Sequence, residues 1–310
     1  MTGKQDEATA ALLQRSQCQT LLLQALLETA PPAACAAWDQ WLDTIGDPVA
    51  HLRADTSGIR RLLPLLLVAT QRNGLSVDRT FLTVLRSAYV REELRERIYR
   101  RILVQQLATL QAAGIEAILV NGAALAHSVY PETLLRHCHS VDLYCNVFHA
   151  ERVAKLLATL GFRETARNRG CIGFEHGSGL PVELHQRLLG IDDNSRRFAA
   201  VYERSQRLEI DGNPVHILAP EDTLLQICAH GPGEGGIAAP WLVCDAWMQV
   251  ERGPQLDRDL LRDTAESCGL ANALDGMLGY LAGELGASVA RHLTGPAGAD
   301  KQVLRKQGIS

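Results

Sequence analysis

Apolar residues recur at helical spacing through the first quarter of the chain. AALLQRSQCQTLLLQALL is followed by a break at Pro31-Pro32, then by AACAAWDQWLDTIG ending at Gly46, so residues 8–72 read as helical throughout. A leucine-rich run from Ser57 to Gln71 predicts a further helix that closes at Asn73-Gly74. From Asp78 to Ala113 the same period predicts one long helix, or two abutting ones. Its polar face holds Arg91, Glu92, Glu93, Arg95, Glu96 and Arg97, and the spacings Glu93–Arg97 and Glu96–Arg100 suit ion pairs on a wet surface. Gly114 ends it, and there the pattern changes.

From Ile115 onward short apolar runs and strict alternation replace the helical period. Ile118-Leu119-Val120 stops at Asn121-Gly122, and a helix with Ala124, Leu125 and Val129 on its apolar side follows and ends at Tyr130-Pro131. Strands are predicted at Val141–Cys145, Phe162–Thr165, Cys171–His176 and Pro181–His185, with a helix from Ala150 to Leu160 stopped by Gly161. Arg197–Arg204 reads as a short helix, and Gln206–Leu218 as a hairpin turning at Asp211-Gly212. Helices return at Pro220–His230, Ala239–Val250, Gln255–Cys268 and Ala271–Leu285, with Gly231–Gly236 as a flexible connector and a disordered tail from Thr294. The order implies an α+β fold: a small mixed sheet with helices on one side, flanked by helical regions. The expected divisions are 1–113 helical, 114–218 α/β core, 219–293 helical and 294–310 tail.

Alternation puts Ser140, Asp142 and Tyr144 on one face of their strand, and Glu183 and His185 on one face of theirs. Glycine at the turn before a helix allows backbone N–H groups to come close to a ligand, and the free N–H groups of the helix favour an anion. Two strand carboxylates near such a turn are what magnesium-dependent phosphoryl or nucleotidyl transfer needs. Other constellations carry less. His137-Cys138-His139 are adjacent ligands that close poorly around one tetrahedral zinc ion, and no second Cys/His pair stands at usable spacing. His139 instead suits contact with substrate or phosphate. Gly231–Gly236 lacks the spacing and lysine of a phosphate loop.

Charge and cysteine content narrow the function classes. A net charge of −4 supplies no global field toward nucleic acid or an anionic membrane, so bulk nucleic-acid binding is not expected. The basic stretches Arg91–Arg101 and Lys301–Lys306 read as a solvated helix face and a tail. Eight cysteines without a Cys-x-x-Cys pair read as reduced thiols, and no apolar run approaches the roughly 20 residues of a membrane span. The start of the chain lacks a signal-peptide pattern. A soluble, cytoplasmic protein is the expectation.

These motifs resemble those of the uncharacterised nucleotidyltransferases of the polymerase-β-like superfamily. That family shows a Lys-Gly turn, a downstream arginine, an Asp-x-Asp strand and a Glu-x-His strand; the matching residues are Asn121-Gly122, Arg136, Ser140-Val141-Asp142 and Glu183-Leu184-His185. The likeness continues through Leu218–Asp222, His230, Trp241-Leu242 and Asp245, and covers roughly Arg60 to Leu285. The chain departs from it at Asn121 for lysine and at Ser140 for the first metal-binding aspartate. The resemblance implies Asp142 and Glu183 as magnesium ligands and, with His139, catalytic groups. It implies Asn121, Gly122, Arg136 and Ser140 at the nucleotide, and His185, His230 and Asp245 at the substrate. His230 reads equally as a helix C-terminal cap. The donor would be a nucleoside triphosphate or a sugar nucleotide, and the acceptor a small molecule or peptide. The alternative is a degenerate scaffold that binds a nucleotide, peptide or protein partner without turning it over.

Overall fold

The computed structural model describes residues 17–168, 170–189, 191–192, 195–230 and 239–294. Helices α1 (17–27), α2 (Pro31–Ile45), α3 (Pro48–Ala54) and α4 (Leu63–Asn73) come first. The helix predicted from Ser57 is split: a 3₁₀ turn, Ile59–Leu62, precedes α4. Pro64 is the reason, since it has no N–H for the carbonyl four residues back and its ring crowds that carbonyl. Helix α5 (Arg79–Ala112) is unbroken, and the Asp78 carboxylate caps it by accepting the N–H groups of Thr80 and Phe81. Gly114 leaves the helix at φ 62°, a left-handed conformation that costs glycine nothing.

After α5 the chain enters β1 (Ala117–Val120), α6 (Asn121–Ser128), β2 (Val141–Cys145) and α7 (Ala150–Thr159). It continues through β3 (Phe162–Arg167), β4 (Cys171–His176), β5 (Pro181–His185), the short pair β6 (Arg187–Leu188) and β7 (Ile191–Asp192), and α8 (Ser195–Arg204). The hairpin β8 (Gln206–Ile210) and β9 (Asn213–Ile217) turns at Asp211 and Gly212, both at positive φ, the tight turn whose twist matches paired strands. Helices α9 (Pro220–Ala229), α10 (Pro240–Arg252), α11 (Arg258–Ser267), α12 (Ala271–Gly283) and α13 (Ser288–Leu293) follow. The Gly231–Gly236 connector and the tail beyond Thr294 lie outside the described residues, as does the start of the first predicted helix.

The strands form a seven-stranded mixed sheet in the order β3-β4-β5-β2-β1-β9-β8. Strand β2 runs antiparallel to β1 and parallel to β5, because α7 and the β3–β4 excursion return the chain to its starting end. Helices cover both faces of this sheet, which corrects the expectation of helices on one side. Leu119, Val141, Leu143, Val182 and Leu184 pack with Ile102 and Leu107 of α5 and Val153 and Leu157 of α7. Ile118, Val120 and Tyr144, from the alternate positions, pack with the N- and C-terminal helices. Strands with apolar residues at both parities must be buried on both sides. Among the described residues no helix is long and apolar enough to cross a membrane.

Candidate active site

Parallel pairing sets Asp142 of β2 beside Glu183 of β5, and Tyr144 beside His185. Neighbours in register share a face, so both carboxylates and the imidazole project from the side of the sheet that meets the terminal helices. The His185 Nε2 lies 2.8 Å from Asp142 Oδ1 and 3.7 Å from Glu183 Oε2. One nitrogen atom is thus hydrogen-bonded to Asp142 and within ion-pair distance of Glu183. Asp142 is only 6% exposed, and its Oδ2 accepts the Ser140 hydroxyl at 3.0 Å. Glu183 is half-exposed, and Gly173 stands opposite it on β4. Burial disfavours the charged form of His185, yet the hydrogen bond and charge of Asp142, with Glu183, outweigh it and raise its pKa.

Arg136 and Asp245 lie elsewhere in this chemistry. The Arg136 guanidinium holds Asp245 through two bonds, Nε to Oδ1 at 2.6 Å and Nη2 to Oδ2 at 2.7 Å, and Tyr130 donates its hydroxyl to the same carboxylate at 2.7 Å. The two are 7% and 1% exposed. Burial pushes the Tyr130 hydroxyl well up, reinforced by Asp245, so it remains a donor. Residues expected at the nucleotide and the substrate are therefore bound to each other in the interior. Gly122 belongs to the same arrangement: a Cβ there would stand 3.3 Å from the Arg136 guanidinium, so the close approach it permits is by Arg136. Asp222, in the stretch Leu218–Asp222, is likewise buried and held bidentately by Arg204 at 2.6 and 2.8 Å.

The turn at Asn121 adopts φ 56°, and its side-chain oxygen accepts from Gln226 of α9 at 3.4 Å. His230 caps the end of that helix, its Nδ1 2.7 Å from the Gln226 carbonyl, and its side chain is exposed. This is the helix-cap reading of His230. His139 is exposed, and its own carbonyl accepts from Arg95. Partial burial and the positive charges of Arg61, Arg95 and His137 depress its imidazole pKa, opposed by Glu183. His137 is turned away, pairing through Nδ1 with Glu92 at 2.9 Å. Cys138 bonds the Arg136 carbonyl, and burial pushes its thiol up to about 12, so the His-Cys-His run does not converge. A cleft lined by Arg95, Tyr99, Ala123, His127 and Val141 opens between α5 and α6. Val141 points away from Asp142, so this cleft lies behind the carboxylate face.

Cys171 is the residue that sequence reasoning passed over. It pairs with His185 across β4 and β5, and Cys171, Glu183 and His185 bring ligand atoms within 4.8 Å of one another. Register counted back from the Ser178-Gly179 turn, which opposes Cys171 to His185, was the available signal. Burial, with Glu183 and Asp142, pushes the Cys171 thiol up to about 12, so it stands protonated beside the carboxylates. Sulfur, oxygen and nitrogen together suit a borderline ion, whereas magnesium requires oxygen. Asp142, Glu183 and the Ser140 hydroxyl are oxygen donors of the type magnesium takes, but the ligand atoms that converge are those of Cys171, Glu183 and His185, without Asp142.

A carboxylate pair on a mixed sheet, behind a strand–turn–helix, makes this a nucleotidyltransferase-like protein. A family model described as uncharacterised nucleotidyltransferase matches residues 56–285, and the chain belongs to that family. Among solved structures it is similar to an antigenic nucleotidyltransferase-like protein from Paracoccidioides brasiliensis, at 18% identity and TM-score 0.41 over 61% of this chain and 93% of that one. It is also similar to the antibiotic-resistance factor ANT(2'')-Ia, at 14% and 0.40 over 57% and 96%. The lincosamide antibiotic adenylyltransferase LnuA, lincomycin-bound, matches at 11% and 0.34 over 48% and 94%. Likenesses this loose transfer no residue role. No curated protein matches the chain.

Proposed function

We propose that this protein transfers a nucleotidyl or other nucleotide-activated group from a nucleoside triphosphate or sugar nucleotide to a small-molecule or peptide acceptor. The observation that carries this reading is the meeting of Asp142 and Glu183 at one imidazole nitrogen, on adjacent strands of the same face. Asp142 and Glu183 would hold one magnesium ion, with Ser140 beside them; when bound, it supplies charge neutralisation at the transferring phosphoryl group. His139, exposed and depressed in pKa, is an uncharged base at neutral pH, suited to accept the proton of an acceptor hydroxyl. His185 holds Asp142 in place and keeps its charge directed onto the face.

The test is release of pyrophosphate or nucleoside diphosphate from the four nucleoside triphosphates and from sugar nucleotides, with and without magnesium, in wild type and Asp142→Ala. Losing the electrostatic stabilisation of developing charge costs on the order of 10²–10³ in turnover, and that loss is expected. Turnover indifferent both to chelation and to Asp142→Ala would place the chemistry elsewhere. A second reading, a scaffold that binds without turnover, is favoured by Ser140 and by the engagement of both Asp142 oxygens in hydrogen bonds. Its mark is nucleotide-dependent thermal stabilisation with no product.

A further inference from the structure

An anionic donor approaching two carboxylates needs a cation nearby, and the turn before α6 offers only the neutral Asn121, already bonded to Gln226. Of the guanidinium groups around the face, Arg136 is committed to Asp245. Arg95 lies over the Tyr99 ring, reaches His137 and the His139 carbonyl, and lines the cleft behind the face. Its charge is also offset by Glu92 on the same helix, whose carboxyl it helps to hold ionised. Arg61 differs from both. It is half-buried, its side chain rests on the Trp241 ring at 4.8 Å, and among the described residues it makes no ion pair.

The surroundings of Arg61 are unbalanced. Besides its desolvation, it faces Arg136 and Arg95 as like charges, and the one carboxylate in reach, Asp245, is held bidentately by Arg136. A guanidinium that is desolvated, repelled and unpaired binds an incoming anion strongly, because the anion meets a charge that water and protein have not neutralised. It is also held in position. The indole of Trp241 carries Arg61 and, at 5.1 Å, Arg136. The backbone of Gly58 comes so near this ring that a Cβ there would meet Trp241 Cδ1 at 3.1 Å, which clamps the 3₁₀ turn bearing Arg61 onto α10. Its place is given by that shared ring, since Arg136 also donates to the His137 carbonyl and stands against Gly122. Arg61 therefore stands near the 137–139 loop and the turn before α6.

We propose that Arg61, held on Trp241, binds the phosphate groups of the donor. This rests on the nucleotide-transfer reading of the same face. The planar guanidinium presents paired N–H groups to two phosphate oxygens, a geometry that lysine does not reproduce.

The experiment is calorimetric titration of wild type, Arg61→Gln, Arg61→Lys and Arg60→Gln with each of the four nucleoside triphosphates, a sugar nucleotide and inorganic triphosphate, in magnesium. Folding is checked by circular dichroism. Arg61→Gln should weaken the phosphate compounds that wild type binds on the order of tenfold to a hundredfold. Arg61→Lys, which keeps the charge and places less demand on the fold, should fall between the two. Arg60→Gln should match wild type, since Arg60 is exposed and directed to the Asp55 carbonyl. Wild-type affinity in folded Arg61→Gln, or in Arg61→Lys if the first variant does not fold, overturns the proposal. If that occurs while Asp142→Ala still abolishes magnesium-dependent turnover, the nucleotide-transfer reading stands and only the role of Arg61 falls. A wild type that binds none of these probes removes both.

Discussion

Replacing Asp245 by alanine tests whether the innermost charges of the site serve substrate or fold. The carboxylate is 1% exposed and accepts two bonds from Arg136 and one from Tyr130, at 2.6, 2.7 and 2.7 Å. Removing it strands a guanidinium in the interior and leaves the Tyr130 hydroxyl without its acceptor. Breaking one side of a buried ion pair costs about 3–5 kcal/mol, a large share of the roughly 5–15 kcal/mol that keeps a typical domain folded. The paired replacement Arg136→Met with Asp245→Leu removes both charges and fills the space with apolar atoms, and should recover all but about 1–3 kcal/mol of that loss, the remainder being the Tyr130 hydroxyl left without its acceptor. Urea unfolding followed by circular dichroism, with midpoints compared at equal slope, measures both. The comparison also separates fold from function. A stable double variant that still binds nucleotide makes the pair structural, whereas a stable one that has lost binding returns Asp245 to the substrate. An Asp245→Ala protein within about 1 kcal/mol of wild type, no less stable than the double variant, would refute the argument.

Two further outcomes follow from particular contacts. Ser140→Asp replaces a hydroxyl that donates to Asp142 by a second carboxylate, so without magnesium the variant should melt below wild type, and magnesium should stabilise it more than it stabilises wild type. Identical magnesium-induced melting shifts in the two proteins would remove Ser140 from the metal's surroundings. Glu92 is desolvated, but its hydrogen bond to His137 and the charges of His137, Arg95 and Arg91 hold its carboxyl pKa below the ordinary value. The unfolded chain thus takes up the proton first as pH falls. The contribution is full above the ordinary carboxylate range and is lost as pH drops through the lower folded value. The stability gap between wild type and Glu92→Gln should accordingly narrow as pH falls from about 5 to below about 4; a gap that widens over that interval contradicts it.

Much of the architecture is legible in the order of residues, because periodicity and end signals are local. Asp78 and Gly114 bracket α5, Asp211-Gly212 turns the β8–β9 hairpin, and alternation along β2 and β5 puts Asp142 and Glu183 on faces that parallel pairing then aligns. The nucleotidyltransferase family was legible too, through the Asn121-Gly122, Ser140-Val141-Asp142 and Glu183-Leu184-His185 motifs. What lay outside that reach depends on elements far apart in the chain. Arg136 and Asp245, 109 positions apart, look like site residues in a motif and become a buried pair only when the fold brings α10 to the segment between α6 and β2. Cys171 gains chemical meaning from its register with His185, and Arg61 from a tryptophan on a distant helix. A charged side chain carries no local mark of its partner: the same arginine is a ligand or a strut according to whether the tertiary fold brings a carboxylate to it, and that is set by helix crossings and strand register that one-dimensional periodicity does not encode.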